Sequence, residues 1–283
     1  MIPSKQPDYL CIGHLTIDKT PAGDIIGGTA AYASLTANAV GLDTALYTTY
    51  TRPELPSMFS QIQSKVQIEN SQMTFENIYL EDKRTQYLLH TCNPLQINGI
   101  PSRWRNASII HFGPIFHDIA PEAIGQFPNA FIGITPQGWL RTVENQIVRP
   151  KPWGWLSEYL PYADAVVISV EDVNYDEEAI QSIASITKLL AVTEGFYGAR
   201  IYHDGIVHRC HAPELTEIDP TGAGDVFAAI FFVMLHRGTS PKIAGQIATQ
   251  LASFSVLRRG LESIPTIYEI QQTFEQIAQA RDG

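Results

Sequence analysis

The stretch Glu217-Ile-Asp-Pro-Thr-Gly-Ala-Gly-Asp225 runs directly into the apolar segment Val226-Phe-Ala-Ala-Ile-Phe-Phe-Val-Met-Leu235. Two glycines and a carboxylate therefore stand where a loop turns into a helix. A helix N-terminus presents unpaired N–H groups and a partial positive charge, and glycines let an anion approach them closely. Asp225 falls in the first turn, beside that anion. A base next to a phosphate cradle suits phosphoryl transfer to a hydroxyl. Asp in a first turn is also an ordinary capping residue, and glycine-rich loops before helices are common, so these nine residues alone leave both readings open.

Such a loop needs a scaffold. Tyr9-Leu-Cys-Ile12, Thr44 to Thr49, Ser108 to Phe112, Ala130 to Ile134, Ala165 to Ser169 and Leu189 to Thr193 are short apolar runs. Helical stretches separate them. That alternation predicts an α/β fold, a mainly parallel central sheet with helices on both faces. Ligands bind beyond the carboxyl ends of such strands, which directs attention to Asp18, Gly113, Thr135, Ser169 with Glu171 and Asp172, Thr193 and Gly195. Gly27-Gly28 opens a small-residue helix, Thr29 to Val40, closed by Gly41. Phe75 to Leu80 and Thr85 to His90 flank the charged turn Glu81-Asp-Lys-Arg84 and predict a β-hairpin, part of a lid. Pro150-Lys-Pro-Trp-Gly-Trp155 reads as a loop. His203 to His211 matches no zinc spacing, and Asp204-Gly205 makes it a hairpin turn. Tyr268 to Ala280 has the spacing of a packing helix.

The chain of 283 residues is long enough to bury a large core, and its 45% hydrophobic and 17% charged content is that of a globular protein. A net charge of -10 argues against an extended nucleic-acid surface but not against a local cradle of N–H groups for an anion. Three scattered cysteines give no disulfide framework, the N-terminus has no apolar signal core, and no apolar run reaches spanning length. The expectation is a cytoplasmic protein without membrane or nucleic-acid partners.

Asp219-Pro-Thr-Gly-Ala-Gly-Asp225 resembles the C-terminal motif of the PfkB, or ribokinase-like, carbohydrate kinases, with Pro220 replacing the usual Thr. Gly27-Gly28 and the helix to Gly41 resemble the N-terminal motif of that family. Thr193-Glu-Gly195 with Gly198-Ala199 resembles its nucleotide-side segment, and Ala248 to Pro265 resembles the helix and loop flanking the adenine. These matches follow the family's order over nearly the whole chain. The resemblance implies one ribokinase-like kinase domain over residues 1–283, with a small β lid including 75–90. It implies an ATP-dependent kinase for a small sugar, polyol or nucleoside. Asp225 is carried over as the catalytic base, and Gly222, Ala223 and Gly224 as the anion hole. Asp18, Gly27, Gly28 and Tyr32 fall at substrate-binding positions, and Thr193, Gly195, Gly198, Thr221 and Thr249 at nucleotide-binding ones. Further implied are Mg²⁺, served through water by Asp172 and Glu171, a monovalent cation such as K⁺, and a homodimer.

Three departures keep a second reading open, a catalytically weak kinase-like protein that binds or senses a ligand. Ser169 stands for the family's Asn in Ser169-Val-Glu-Asp172. Tyr32 stands for a substrate-contacting Asn. Only eight residues separate Asp18 from Gly27, short for a lid segment. His14 could reach the substrate or merely finish the first strand, and Arg84 could meet an anionic substrate or be surface charge.

Overall fold

The computed structural model describes residues 5–21, 23–80 and 83–282. Along the chain the strands are β1 (Tyr9–Ile12), β2 (Thr16–Thr20), β3 (Gly23–Gly27), β4 (Thr44–Tyr50), β5 (Gln63–Ile68), β6 (Met73–Leu80), β7 (Lys83–His90) and β8 (Ile109–Phe112). They continue as β9 (Phe131–Ile134), β10 (Arg141–Glu144), β11 (Ile147–Pro150), β12 (Ala165–Ser169), β13 (Leu189–Thr193), β14 (Ala199–His203) and β15 (Ile206–Cys210). The α-helices are α1 (Thr29–Ala39), α2 (Glu177–Ile186), α3 (Ala223–His236), α4 (Pro241–Ser255) and α5 (Ile267–Asp282).

Nine strands form one sheet in the order β15-β14-β13-β12-β9-β8-β1-β4-β5. Every pairing from β13 to β5 is parallel, and the β14–β15 hairpin adds antiparallel strands at one edge. Its turn, Asp204-Gly205, has positive φ at both residues (50° and 74°), as a tight hairpin turn requires. Burial explains why the central strands read as apolar runs. Tyr9 and Cys11 of β1 pack with α1, α3 and α4, while Leu10 and Ile12 pack with α2 and several 3-10 turns on the opposite face. A strand covered on both faces has no polar side to show. Helix α3 is buried nearly all round, from Val226 to Met234, and lies between α1 and α4. No helix of the described residues is long and apolar enough to cross a membrane.

A second sheet has the order β10-β11-β7-β6-β2-β3. It corrects the expected lid in two respects. The residues from Asp18 to Gly27 are not a short loop; Asp18 lies within β2, which pairs antiparallel with β3. The predicted 75–90 hairpin supplies only β6 and β7, and a further hairpin, β10–β11, joins it through Ile147 and Tyr87. Phe75, Leu88, Val143 and Val148 cluster with Ile115 of the main body, so one face of this sheet rests on the large one. Glu81 and Asp82, in the charged turn of the predicted hairpin, lie outside the described residues, as does the Arg84 side chain.

Candidate active site

Between the two sheets lies a cleft of about 610 Å³. The loop before α3 lines it. Asp219 opens that loop by accepting the Thr221 N–H at 3.0 Å and the Gly260 N–H at 3.4 Å. The N–H groups of Ile218 and Asp219 both donate to the Val256 carbonyl, which ties the loop to the end of α4. Gly222 then takes φ 83°, a left-handed conformation that costs a residue with a side chain about 1–2 kcal/mol. A Cβ on Gly222 would also overlap the ring of Tyr32, which rises from α1 beneath it. Of the three amides expected to form the anion hole, that of Ala223 donates to the Pro220 carbonyl at 3.1 Å. The N–H groups of Gly222 and Gly224 have no acceptor among the described residues and border the cleft.

Asp225 is the third residue of α3. Its Oδ1 accepts a 2.7 Å hydrogen bond from Thr29 Oγ1, the first residue of α1. Two helix N-termini thus meet on one carboxylate. Burial pushes the Asp225 carboxyl up to about 6 from its ordinary 3.8. The Thr29 bond and the Arg141 charge pull it down, while Asp172 and Asp18 push it up. A base poised near neutral pH suits proton abstraction from a hydroxyl. Thr29→Val removes the bond that favours the ionised form, so the acidic limb of the kcat/KM profile moves to higher pH. With the carboxylate no longer held, kcat falls about 10-fold to 100-fold. A profile and rate like those of wild type would remove Thr29 from the machinery.

The other residues marked in the sequence converge here. Asp18, Gly28 and Tyr32 border the cleft together with Asp225. Gly27 does not, but a Cβ there would meet the Asp18 carboxylate and Thr16 Oγ1, so its lack of a side chain makes room for Asp18. Tyr32 is almost fully buried, and its ring lies against Gly222. Thr193, Gly195, Gly198, Thr221 and Thr249 line the same cleft. The Thr193–Gly198 turn is held by a bond from the Glu194 N–H to the Gly198 carbonyl at 2.8 Å. Buried Arg200 supports it from below, pairing with Glu194 at 2.7 Å and with Glu177 at 2.7 Å. His14 is buried and lies outside the lining.

Ser169-Val-Glu-Asp172 is a capping box. Ser169 Oγ accepts the Glu171 N–H at 3.2 Å, and Asp172 Oδ2 accepts the Ser169 N–H at 2.8 Å. Gln137 Nε2 reaches Asp172 Oδ1 at 3.3 Å. Burial raises the Asp172 carboxyl, opposed by those bonds and by Arg141. Asp172 and Glu171 both border the cleft, yet no cluster of three or more His, Cys, Asp or Glu that could hold a metal ion occurs among the described residues.

Thr29, Gln137 and Arg141 carry little that marks them in the sequence. For Thr29 a signal existed, a hydroxyl residue directly after Gly27-Gly28 at a helix start. For Arg141 and Gln137 none did, since they stand in a short polar strand and a 3-10 turn without a motif.

Residues 156–267, which include the whole loop and Asp225, match the model of the pfkB family of carbohydrate kinases. That match covers the C-terminal part of the chain, including the loop and the start of α3. A curated relative, a nucleoside kinase of Methanothermobacter thermautotrophicus, is 36% identical over 83 residues. That segment is 29% of this chain and spans about a quarter (26%) of the relative's length. Solved structures of ribokinase-family kinases resemble nearly the whole molecule. A pyrophosphate-dependent kinase of the ribokinase family, complexed with a pyrophosphate analogue and myo-inositol, superposes with a TM-score of 0.78, 20% identity and coverage of 93% of this chain and 99% of that one. The nucleoside kinase of Methanocaldococcus jannaschii gives 0.70 at 18% identity, covering 96% and 98%. The fold is therefore ribokinase-like, as the resemblance implied.

Proposed function

We propose that this protein transfers the γ-phosphoryl group of ATP to a hydroxyl of a small sugar, polyol or nucleoside. The observation that carries the proposal is Asp225. It is a carboxylate with its pKa raised to about 6, anchored by Thr29, at the mouth of a helix whose first amides face the cleft. The acceptor hydroxyl lies between Asp18 and Asp225 and gives its proton to Asp225 as its oxygen attacks the γ-phosphorus. The amides of Gly222 and Gly224 receive the charge that develops on the phosphoryl oxygens. Asn77 and Gln86, side by side on β6 and β7, complete the acceptor wall from the lid.

The far end of the cleft favours a nucleotide over pyrophosphate as donor. Ala212, Leu215, Ala252 and Val256 make an apolar groove beyond the phosphate end, with the exposed ring of Phe196 (75%) at its rim. A flat base fills such a groove; pyrophosphate has nothing to place there. Glu171 and Asp172 suit a Mg²⁺ that keeps its waters and takes its inner ligands from the donor phosphates, where it would neutralise their charge.

The reading in which the protein only binds a ligand loses one of its motives, because the short Asp18–Gly27 segment is a pair of strands rather than a truncated loop. The deciding experiment offers ATP or pyrophosphate, with Mg²⁺, to a panel of hexoses, myo-inositol and nucleosides, and detects phosphorylated product. Product with ATP and one acceptor class is expected. Tight acceptor binding with no product from either donor overturns the proposal.

A further inference from the structure

Two cations, Arg141 and Arg149, are among the described residues that line the cleft, against Asp18, Glu171, Asp172, Glu217 and Asp225. They are not equivalent. In the β10–β11 ladder Val143 pairs with Val148, Thr142 with Arg149, and Arg141 with Pro150. Val143 and Val148 turn toward Phe75, Leu88 and Ile115, so the period of two puts Arg141 on that inner face and Arg149 on the outer one.

Arg141 is the first residue of β10, where the chain leaves the body of the protein for the small sheet. Trp139 and Leu140 just before it are buried, and Trp139 Nε1 donates to the Ile119 carbonyl at 2.7 Å. His117 Nε2 meets the Arg141 carbonyl at 2.9 Å, and the Lys151 N–H donates to the Leu140 carbonyl at 2.8 Å. The side chain itself is only partly buried. Its charge acts on both Asp225 and Asp172, which come from different elements on different walls. Arg141 thus lines the cleft on its inner face, within electrostatic reach of both carboxylates.

We infer that Arg141 is a catalytic residue of this site, its guanidinium gripping the terminal phosphoryl group of the donor as that group moves to the acceptor. This rests on the phosphotransferase reading above. In the step, the bond from the γ-phosphorus to the leaving oxygen breaks, with its electron pair going to the donor diphosphate. The acceptor oxygen forms the new bond, and its proton passes to Asp225. Arg141 keeps its own protons throughout and supplies charge. The need for it is physical: helix amides offer partial charges only, whereas a donor triphosphate enters a cleft already rich in carboxylates. A planar fork of N–H donors matches phosphoryl oxygens.

The test titrates wild type, Arg141→Met and Arg141→Lys with the β,γ-imido analogue of ATP and with ADP, in Mg²⁺, by calorimetry. ADP lacks the group that Arg141 holds. Arg141→Met is expected to weaken the analogue about 10-fold or more while ADP changes less than about twofold, with Arg141→Lys between. Turnover of an accepted substrate falls roughly 100-fold in Arg141→Met. A merely structural Arg141, placed to steady Asp172 and Asp225, would weaken both nucleotides alike or neither, and that result overturns the inference while leaving the kinase reading intact. Wild type that binds neither nucleotide overturns the nucleotide donor instead. Imidodiphosphate against orthophosphate, in the same three proteins, then decides Arg141 by the same criterion.

Discussion

Asp225→Asn is expected to lower kcat about 10³-fold to 10⁴-fold while nucleotide affinity stays within about threefold. The amide keeps the shape and can still accept from Thr29 Oγ1, but it cannot take the acceptor's proton. The same substitution should stabilise the fold. The folded carboxyl titrates near 6 and the ordinary one near 3.8, so between those values the folded state holds a proton that the unfolded chain has released. The ionised carboxylate therefore costs nothing below about pH 4, costs progressively more as pH rises to about 6, and its full cost persists above. The gap between the folded and ordinary values sets a ceiling of about 3 kcal/mol, and the partly open position of Asp225 brings this to on the order of 1–2 kcal/mol. At pH 8 the variant should melt a few degrees higher than wild type, and at pH 4 the two should coincide. Steady-state rates, calorimetry with ATP and melting at both pH values check this. A loss of kcat under about tenfold would remove Asp225 as the base.

Gly222→Ala is expected to damage both stability and turnover. The residue holds φ 83°, and its missing side chain leaves room for the Tyr32 ring. A methyl group meets strain of about 1–2 kcal/mol from the backbone and a further 1–3 kcal/mol from overpacking. Either the loop lifts from Tyr32 or the ring shifts within α1. Lifting displaces the amides of Gly222 and Gly224, and a displacement near 1 Å costs roughly 100-fold in rate. Gly222→Ala combined with Tyr32→Ala relieves the overlap but not the positive φ, so the pair should regain part of the stability lost to crowding. Denaturant melts of the single and double variants measure that coupling. A fully stable and active Gly222→Ala would show that the loop geometry is not held by this contact.

The parallel strands that could be read from the sequence with correct bounds were those with no polar face. β12 and β13 have the bounds the apolar runs predicted, and β1 does too, because burial on both faces leaves nothing to alternate. The missed strands are the ones that show a polar side. β5, Gln-Ser-Lys-Val-Gln-Ile, lies at the sheet's edge with half its residues exposed. β10 and β11 are four residues each, joined through Asn145 and Gln146 at φ 50° and 64°, a tight turn without the glycine that would have marked it. β2 and β3 read as loop because their apolar residues are few and interrupted by Asp, Lys and Thr.

What the sequence alone determined about this protein is the local form of one loop and the order of the pieces around it. Backbone requirements are local, so Asp219 to Asp225 declares a helix start, an anion-facing turn and a carboxylate without reference to any other residue. Tertiary structure decided which residues meet that loop. Thr29 lies 196 positions from Asp225, and Arg141 reaches the cleft from a lid strand with no signature. The role of Tyr32 likewise depends on α1 passing under the loop. These contacts are made by burial between distant segments, and no local pattern encodes a partner that only folding brings near.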